Sequence, residues 1–196
     1  MRKLYFLLTI LWVGCQPATT KQNEPTSYFD MDSFAQRLIE NQTNTDKYTV
    51  TKISVANGVE EKTRVAKTDS LFWTKELTPL LNANINKPSL SGAYSVTDNL
   101  PEKNSNLKRL VYTILPKSNS DVSRLEIKYL DSIEEVRQIV AWITTKNPVY
   151  NSKQEVNLWV NRYNGKLLID SLSIKGFNKT LFQDSLTYQT KLIVKH

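Results

Sequence analysis

Apolar residues recur at helical spacing in two stretches of this chain and alternate with polar ones through most of its second half. Met31, Phe34, Ala35, Leu38 and Ile39 fall at i, i+3, i+4, i+7 and i+8. That stripe predicts a helix over residues 29–42. Asp30 or Asp32 can cap it by accepting from free backbone N–H groups. Trp73, Leu77, Leu80, Leu81 and Ile85 predict a second helix over residues 70–85, with Asp69 or Ser70 at its start. Pro79 lies inside that stretch, where it removes one hydrogen bond and crowds the carbonyl of Lys75, so a kink or break is expected there.

Between the two helices, Tyr48 to Val55 and Val59 to Ala66 flank Asn57-Gly58. Asn-Gly suits the positive φ values of a type I′ turn, so these segments predict a hairpin. Polar residues on both faces place it at a sheet edge. Further strands are expected at Ala93–Thr97, Lys108–Leu115 and around Leu125, Ile127 and Tyr129. Glu155–Tyr163 and Lys166–Lys175 flank a second Asn-Gly pair, Asn164-Gly165, and the last strand runs from Leu186 to Lys195. Residues 136–145 suit a helix by spacing and a strand by their β-branched content; the strand is favoured. Short links imply antiparallel neighbours. The expected fold is α+β: two N-terminal helices packed on a twisted antiparallel β-meander of about six or seven strands, open or curling towards a half-barrel.

The first residues follow a different pattern. Met1-Arg2-Lys3 is basic, Leu4 to Val13 is apolar apart from Thr9, and Gly14 precedes the single cysteine, Cys15. At about ten residues the apolar run is too short to span a bilayer. A charged start, an apolar centre and a small residue before the cut are the parts of a secretory signal. The segment resembles a bacterial lipoprotein signal with its lipobox. The resemblance implies that residues 1–14 are removed and that Cys15 is acylated and holds the protein on a membrane. Trp12 departs from the small aliphatic residue that the motif prefers. Residues 15–27 are polar, contain Pro17 and Pro25, and read as a flexible tether. Residues 28–196 then form one α+β domain, large enough to bury a core of its own.

Composition narrows the chemistry. The chain has 26 Lys and Arg against 19 Asp and Glu, a net charge of +7. Loss of Arg2 and Lys3 with the signal leaves about +5, spread along the chain, which favours mild attraction to anionic surfaces. No basic stripe or nucleic-acid module is present, so nucleic acid is not an expected partner. Cys15 is the one cysteine, so no disulfide forms within the chain. The one histidine is His196, so Ser-His-Asp, Cys-His and Cys/His zinc arrangements are not expected. No calcium loop or glycine-rich phosphate loop occurs. Glu60, Glu61, Glu134 and Glu135 read as charged turns rather than paired catalytic carboxylates. No metal or other cofactor is expected, and a non-enzymatic role is favoured over a carboxylate-based hydrolase.

The aromatic residues are the remaining signal. Trp73, Trp142, Trp159, Tyr129 and Tyr188 are candidates to line an apolar concavity, with ordinary core packing as the competing reading. Tyr28-Phe29-Asp30, Asn57-Gly58, Leu71-Phe72-Trp73-Thr74-Lys75-Glu76-Leu77 and Asn84-Ile85-Asn86-Lys87-Pro88 together resemble small exported bacterial lipoproteins of unassigned function. This resemblance covers nearly all of residues 15–196 and brings no catalytic residues with it. In outline the chain is also similar to localisation factors for lipoproteins, which hold acyl chains in a curved antiparallel sheet closed by helices. These likenesses imply an envelope lipoprotein, lipid-anchored to the outer membrane and facing either the periplasm or the outside. It would act as a binding or scaffold module for an envelope protein, or as a carrier of lipid.

Overall fold

A computed structural model describes residues 28–182 and 184–196. The signal, Cys15 and the tether lie outside the described residues. Helix α1 spans Met31–Thr43 and helix α2 spans Ser70–Asn82. Each starts on an aspartate, as the sequence leads one to expect. Asp30 Oδ1 accepts the Ser33 N–H at 3.0 Å, and its Oδ2 accepts the Ser33 hydroxyl at 2.6 Å. Asp69 Oδ1 accepts the Phe72 N–H at 3.0 Å. Phe29 and Phe34 flank the first cap with ring centroids 5.4 Å apart, a hydrophobic staple that sets the angle at which the chain joins α1. Pro79 does not break α2, which continues to Asn82. It sits in the last turns, where it costs one backbone bond. Leu77 and Leu80, both fully buried, hold those turns in the core.

Nine strands form one open antiparallel sheet in the order β2-β1-β9-β8-β7-β6-β5-β4-β3. The strands β3 (Tyr94–Pro101), β4 (Lys108–Ile114), β5 (Val122–Tyr129), β6 (Val136–Asn147), β7 (Tyr150–Tyr163), β8 (Lys166–Thr180) and β9 (Leu186–Lys195) pair in chain order. The hairpin of β1 (Thr49–Ala56) and β2 (Val59–Arg64) adds to the far side of β9, in register from Thr49↔Lys195 to Ala56↔Tyr188. Helix α2 follows this hairpin, so the two helices do not both precede the strands, and the sheet dominates the fold. Both Asn-Gly turns have the expected positive φ at each residue: 47° and 86° at Asn57 and Gly58, 50° and 81° at Asn164 and Gly165. Every residue of edge strand β2 is exposed, and its Glu60, Glu61, Lys62 and Arg64 make it a poor template for a further strand. Residues 136–145 are strand, because Ile139 and Ala141 face the core while Val140 and Trp142 face the other way.

The core lies between the helices and one face of the sheet. Met31, Leu38, Trp73, Leu77 and Leu80 meet Leu125, Ile127, Ile139, Leu158 and Ile169 there, all fully buried. One ion pair is built into this layer: Lys52 of β1 reaches Glu76 of α2 at 2.6 Å, with the carboxylate nearly enclosed. At its edge β8 bulges against β7 between Trp159 and Val160. Beyond the bulge, Ile169 takes its partners from side chains. Its N–H donates to Gln42 Oε1 of α1 at 2.9 Å, and its carbonyl lies 3.0 Å from His196 Nε2. Gly176 pairs with Tyr188 across β8 and β9. A Cβ at Gly176 would stand 2.3 Å from the Tyr188 ring, so the glycine lets that ring lie against the strand.

The caps carry a pH signature. The Ser33 hydroxyl and N–H hold the Asp30 carboxyl below its ordinary 3.8. Lys67 and the Phe72 N–H do the same for Asp69. A carboxyl lowered in the folded state stabilises the fold above its unfolded pKa, and that contribution is lost as pH falls through the native value. Asp30→Asn with Asp69→Asn keeps both caps and removes the charge. Denaturant titrations below pH 4 are expected to show a shallower acid loss of stability in this variant than in the parent, with little difference near neutrality.

Candidate functional site

A deep recess among the described residues lies where the chain joins α1. Three tyrosines build its inner wall. The Tyr28 N–H donates to Asn86 Oδ1 at 3.1 Å, and the Tyr28 hydroxyl accepts the Tyr94 N–H at 3.2 Å. The Tyr112 hydroxyl accepts the Phe29 N–H at 3.1 Å. The Tyr28 ring meets Tyr94 and Tyr112 edge-on, with centroids 5.6 and 5.5 Å apart. Asn84 adds a strut: its Nδ2 donates to Asp32 Oδ2 at 2.8 Å, and its Oδ1 accepts the Asn86 N–H. The segment from Asn84 to Pro88 thus ties the end of α2 to the start of α1.

Outside this wall runs a groove of about 730 Å³. Leu110 and Tyr112 of β4 and Ile133 of the β5–β6 turn form its floor. Ser33, Gln36, Arg37 and Glu40 of α1 form one side, and Glu134 stands opposite. The Ser132 hydroxyl, with a smaller contribution from Arg37, lowers the Glu134 carboxyl below its ordinary value. Past Arg37 and Glu134 a recess of about 220 Å³ continues along α1 to Asn41, Arg162 and Leu167. The groove therefore has an apolar floor and a charged rim of both signs. That chemistry suits an amphiphile or a peptide segment. Among the described residues no three His, Cys, Asp or Glu side chains cluster as a metal site.

The five candidate aromatics are not brought together. Trp73 is fully buried under α2, and its Nε1 donates to the Tyr48 hydroxyl at 3.0 Å. Tyr129 is buried and donates to Asp98 Oδ1 at 2.6 Å, a bond that raises its pKa. Tyr188 is half-buried; burial raises its pKa, and its hydroxyl accepts from Gln154 Nε2. These three lie on the helix side of the sheet. Trp142 and Trp159 lie on the opposite side. Arg124 stacks over Trp142 at 5.4 Å, and Trp159 is 42% exposed. Trp142 borders a second recess of about 680 Å³ with Phe177, Arg124, Lys153, Glu155 and Lys175. On the same side Glu126 is buried among cations: Arg124 at 2.8 Å, Arg109 at 3.8 Å and Lys128 at 3.9 Å. Glu102 bridges Arg109 and Lys128 at 3.1 and 3.0 Å. These carboxylates tie the Arg and Lys side chains of β4 and β5 together across this face.

Of the groove residues, Tyr28, Leu110, Ile133 and Arg37 were not singled out from the sequence as lining a site, whereas Tyr112 was among the aromatics considered for a concavity. Only the pair Phe29 and Phe34, placed as a staple around an aspartate cap, could have flagged this end of α1. Comparison with family models, with curated proteins and with solved structures returned no match.

Placement separates the tryptophans. Trp73→Ala is expected to lower the free energy of unfolding by about 3–5 kcal/mol. Trp159→Ala is expected to change it by less than about 1 kcal/mol. Urea titration of both variants measures the contrast. At the alkaline end, burial raises the pKa of Tyr94 and Tyr112 above the ordinary 10.0. A raised phenol favours the fold until the unfolded chain begins to ionise, so stability is expected to fall as pH rises past about 10. Phenolate absorbance should lag behind that of the urea-unfolded chain over the same range.

Proposed function

We propose that this protein is a membrane-anchored envelope lipoprotein that acts as a non-enzymatic binding module, holding a partner segment or an amphiphile in the groove beside α1. The groove is the observation that carries the reading. Its volume of about 730 Å³ and its apolar floor under a charged rim match the usual character of binding clefts. The resemblance of residues 1–15 to a lipobox signal supplies the anchor. The roughly 13 residues from Cys15 to Tyr28 can span at most about 45 Å. The groove borders Tyr28, so the tether delivers its anchor end close to the binding surface.

In this reading the sheet is an open half-barrel with both helices seated against its inner face. The centre of that face is filled by Trp73, Leu77, Leu80 and their neighbours, which favours binding at the side of the helices. A carrier of lipids is the second reading. It is favoured by the size and apolar floor of the same groove, which suit an acyl chain with its headgroup at Arg37.

Native mass spectrometry and photocrosslinking separate the two. A chain beginning at Thr19 retains all the described core contacts, which lie within residues 28–196, and circular dichroism checks that it is folded. A crosslinker at Gln36 is expected to capture an envelope protein, and Ile133→Asp to abolish the capture. A co-purifying species of lipid mass, lost in Ile133→Asp, would establish the carrier reading instead. A bare mass together with no crosslink from residue 36 would end both. The anchor is tested separately. Cys15→Ser is expected to move the protein from the membrane fraction to a soluble or uncleaved form. A processed Cys15→Ser chain that stays with the membrane would sink the lipobox reading.

A further inference from the structure

The far end of the sheet carries a feature that the groove does not use. Strands β7 and β8 are 14 and 15 residues long. Pairing of β5 with β6 ends at Val122↔Ile143, while β6 and β7 stay paired to Asn147↔Tyr150. The last four rungs project about 13 Å beyond that end. At the tip, Val149 is 59% exposed, Leu181 62%, Phe182 91% and Leu186 39%. The Leu181 N–H donates to the Val149 carbonyl at 3.1 Å, which links the β6–β7 turn to the β8–β9 connection. Four lysines stand behind this apolar end on one side of the sheet. Lys146 and Lys179 share a rung with Asn151, Lys153 is paired with Phe177, and Lys175 follows two positions on. Lys146, Lys153 and Lys179 are exposed and have no acidic partner among the described residues. Lys175 pairs with Glu155 at 3.2 Å.

We propose that this end of the sheet docks on an anionic lipid bilayer, with Val149, Leu181, Phe182 and Leu186 entering the interface and the lysines meeting the headgroups. Apolar side chains at the ends of two linked turns, backed by cations on long apolar stems, have the composition of an interfacial membrane contact. The recess lined by Trp142, Phe177, Arg124, Lys153 and Lys175 lies just behind and offers room for an anionic headgroup. A stable protein interface buries roughly 800 Å² on each partner, more than four side chains at a strand end supply. The contact is separate from the Cys15 anchor and from the α1 groove.

The test uses the chain from Thr19, which has no Cys15, with vesicles of phosphatidylcholine alone or mixed with phosphatidylglycerol. Co-sedimentation is expected to be at least about tenfold tighter on the anionic vesicles and to weaken as salt rises. Leu181→Asp with Phe182→Asp should remove binding to both vesicle types. Lys146→Gln, Lys153→Gln and Lys179→Gln together should remove the preference for anionic lipid. All five positions are exposed, and circular dichroism with urea titration checks that each variant is folded. Absence of vesicle binding by the parent chain, or binding that neither variant alters, would overturn the proposal. So would a self-associated parent chain that the Leu181→Asp, Phe182→Asp variant disperses, since the tip would then be a contact between copies.

Discussion

The pairing of β1 with β9 is the constraint on which the rest of the structure depends. It joins residues 49–56 to residues 188–195, almost the whole domain apart in sequence. Closing so long a loop is costly in entropy, and nothing local repays it. Once made, it fixes the position of α2, which leaves the β1–β2 hairpin and must return to the inner face of the sheet. There Lys52 of β1 meets Glu76 of α2, and Trp73 reaches Tyr48, the residue just before β1. The ladder and the helix therefore hold each other in place. The same end of the sheet is finished by side chains rather than strands, with Gln42 and His196 completing the bonds of Ile169.

The two faces of the sheet do different work. One is covered by helices and filled with aliphatic and aromatic side chains. The other carries no helix among the described residues, yet Val111, Glu126, Gln138 and Val140 are buried there. They are covered by neighbours on the same face: the Arg109, Arg124 and Lys128 side chains lie around Glu126, and Gln138 Nε2 donates to Asn157 Oδ1. Alternating charge across β4 and β5 thus encloses apolar surface through the stems of long side chains. Among the described residues this face is shielded in this way without a second layer.

The groove follows from how α1 is mounted. The tyrosines at 28, 94 and 112 and the asparagines at 84 and 86 fix its N-terminal end, while the apolar stripe of Met31, Phe34 and Leu38 holds it down along one side. Its outer side, with Ser33, Gln36, Arg37 and Glu40, then lines the groove together with Leu110 and Ile133. Aromatic residues that looked like candidate ligand contacts are spent elsewhere, on core packing, on cross-strand cover of Gly176 and on stacking with Arg124.

Local physics made much of the fold legible. The stripes of both helices, the aspartate caps and the two Asn-Gly turns depend on residues a few positions apart; the caps and turns took the expected form, while α2 stops at Asn82 and leaves Ile85 outside the helix. The alternation in β5 and β9 likewise declared which side chains share a face. The strand at 136–145 was harder, because its apolar spacing fits either period and only its neighbours β5 and β7 resolve it. At Pro79, where a kink or break was expected, α2 is not broken, since one lost backbone bond is small beside the burial of Leu77 and Leu80. By itself, then, the sequence determined the two helix starts, both Asn-Gly turns and most of the strands. Tertiary structure decided that the first hairpin joins the last strand, that Trp73 and Trp142 lie on opposite faces, and that the open groove forms at α1. Those outcomes depend on contacts between residues far apart in sequence, and no periodicity along the chain encodes which distant strand a given edge will meet.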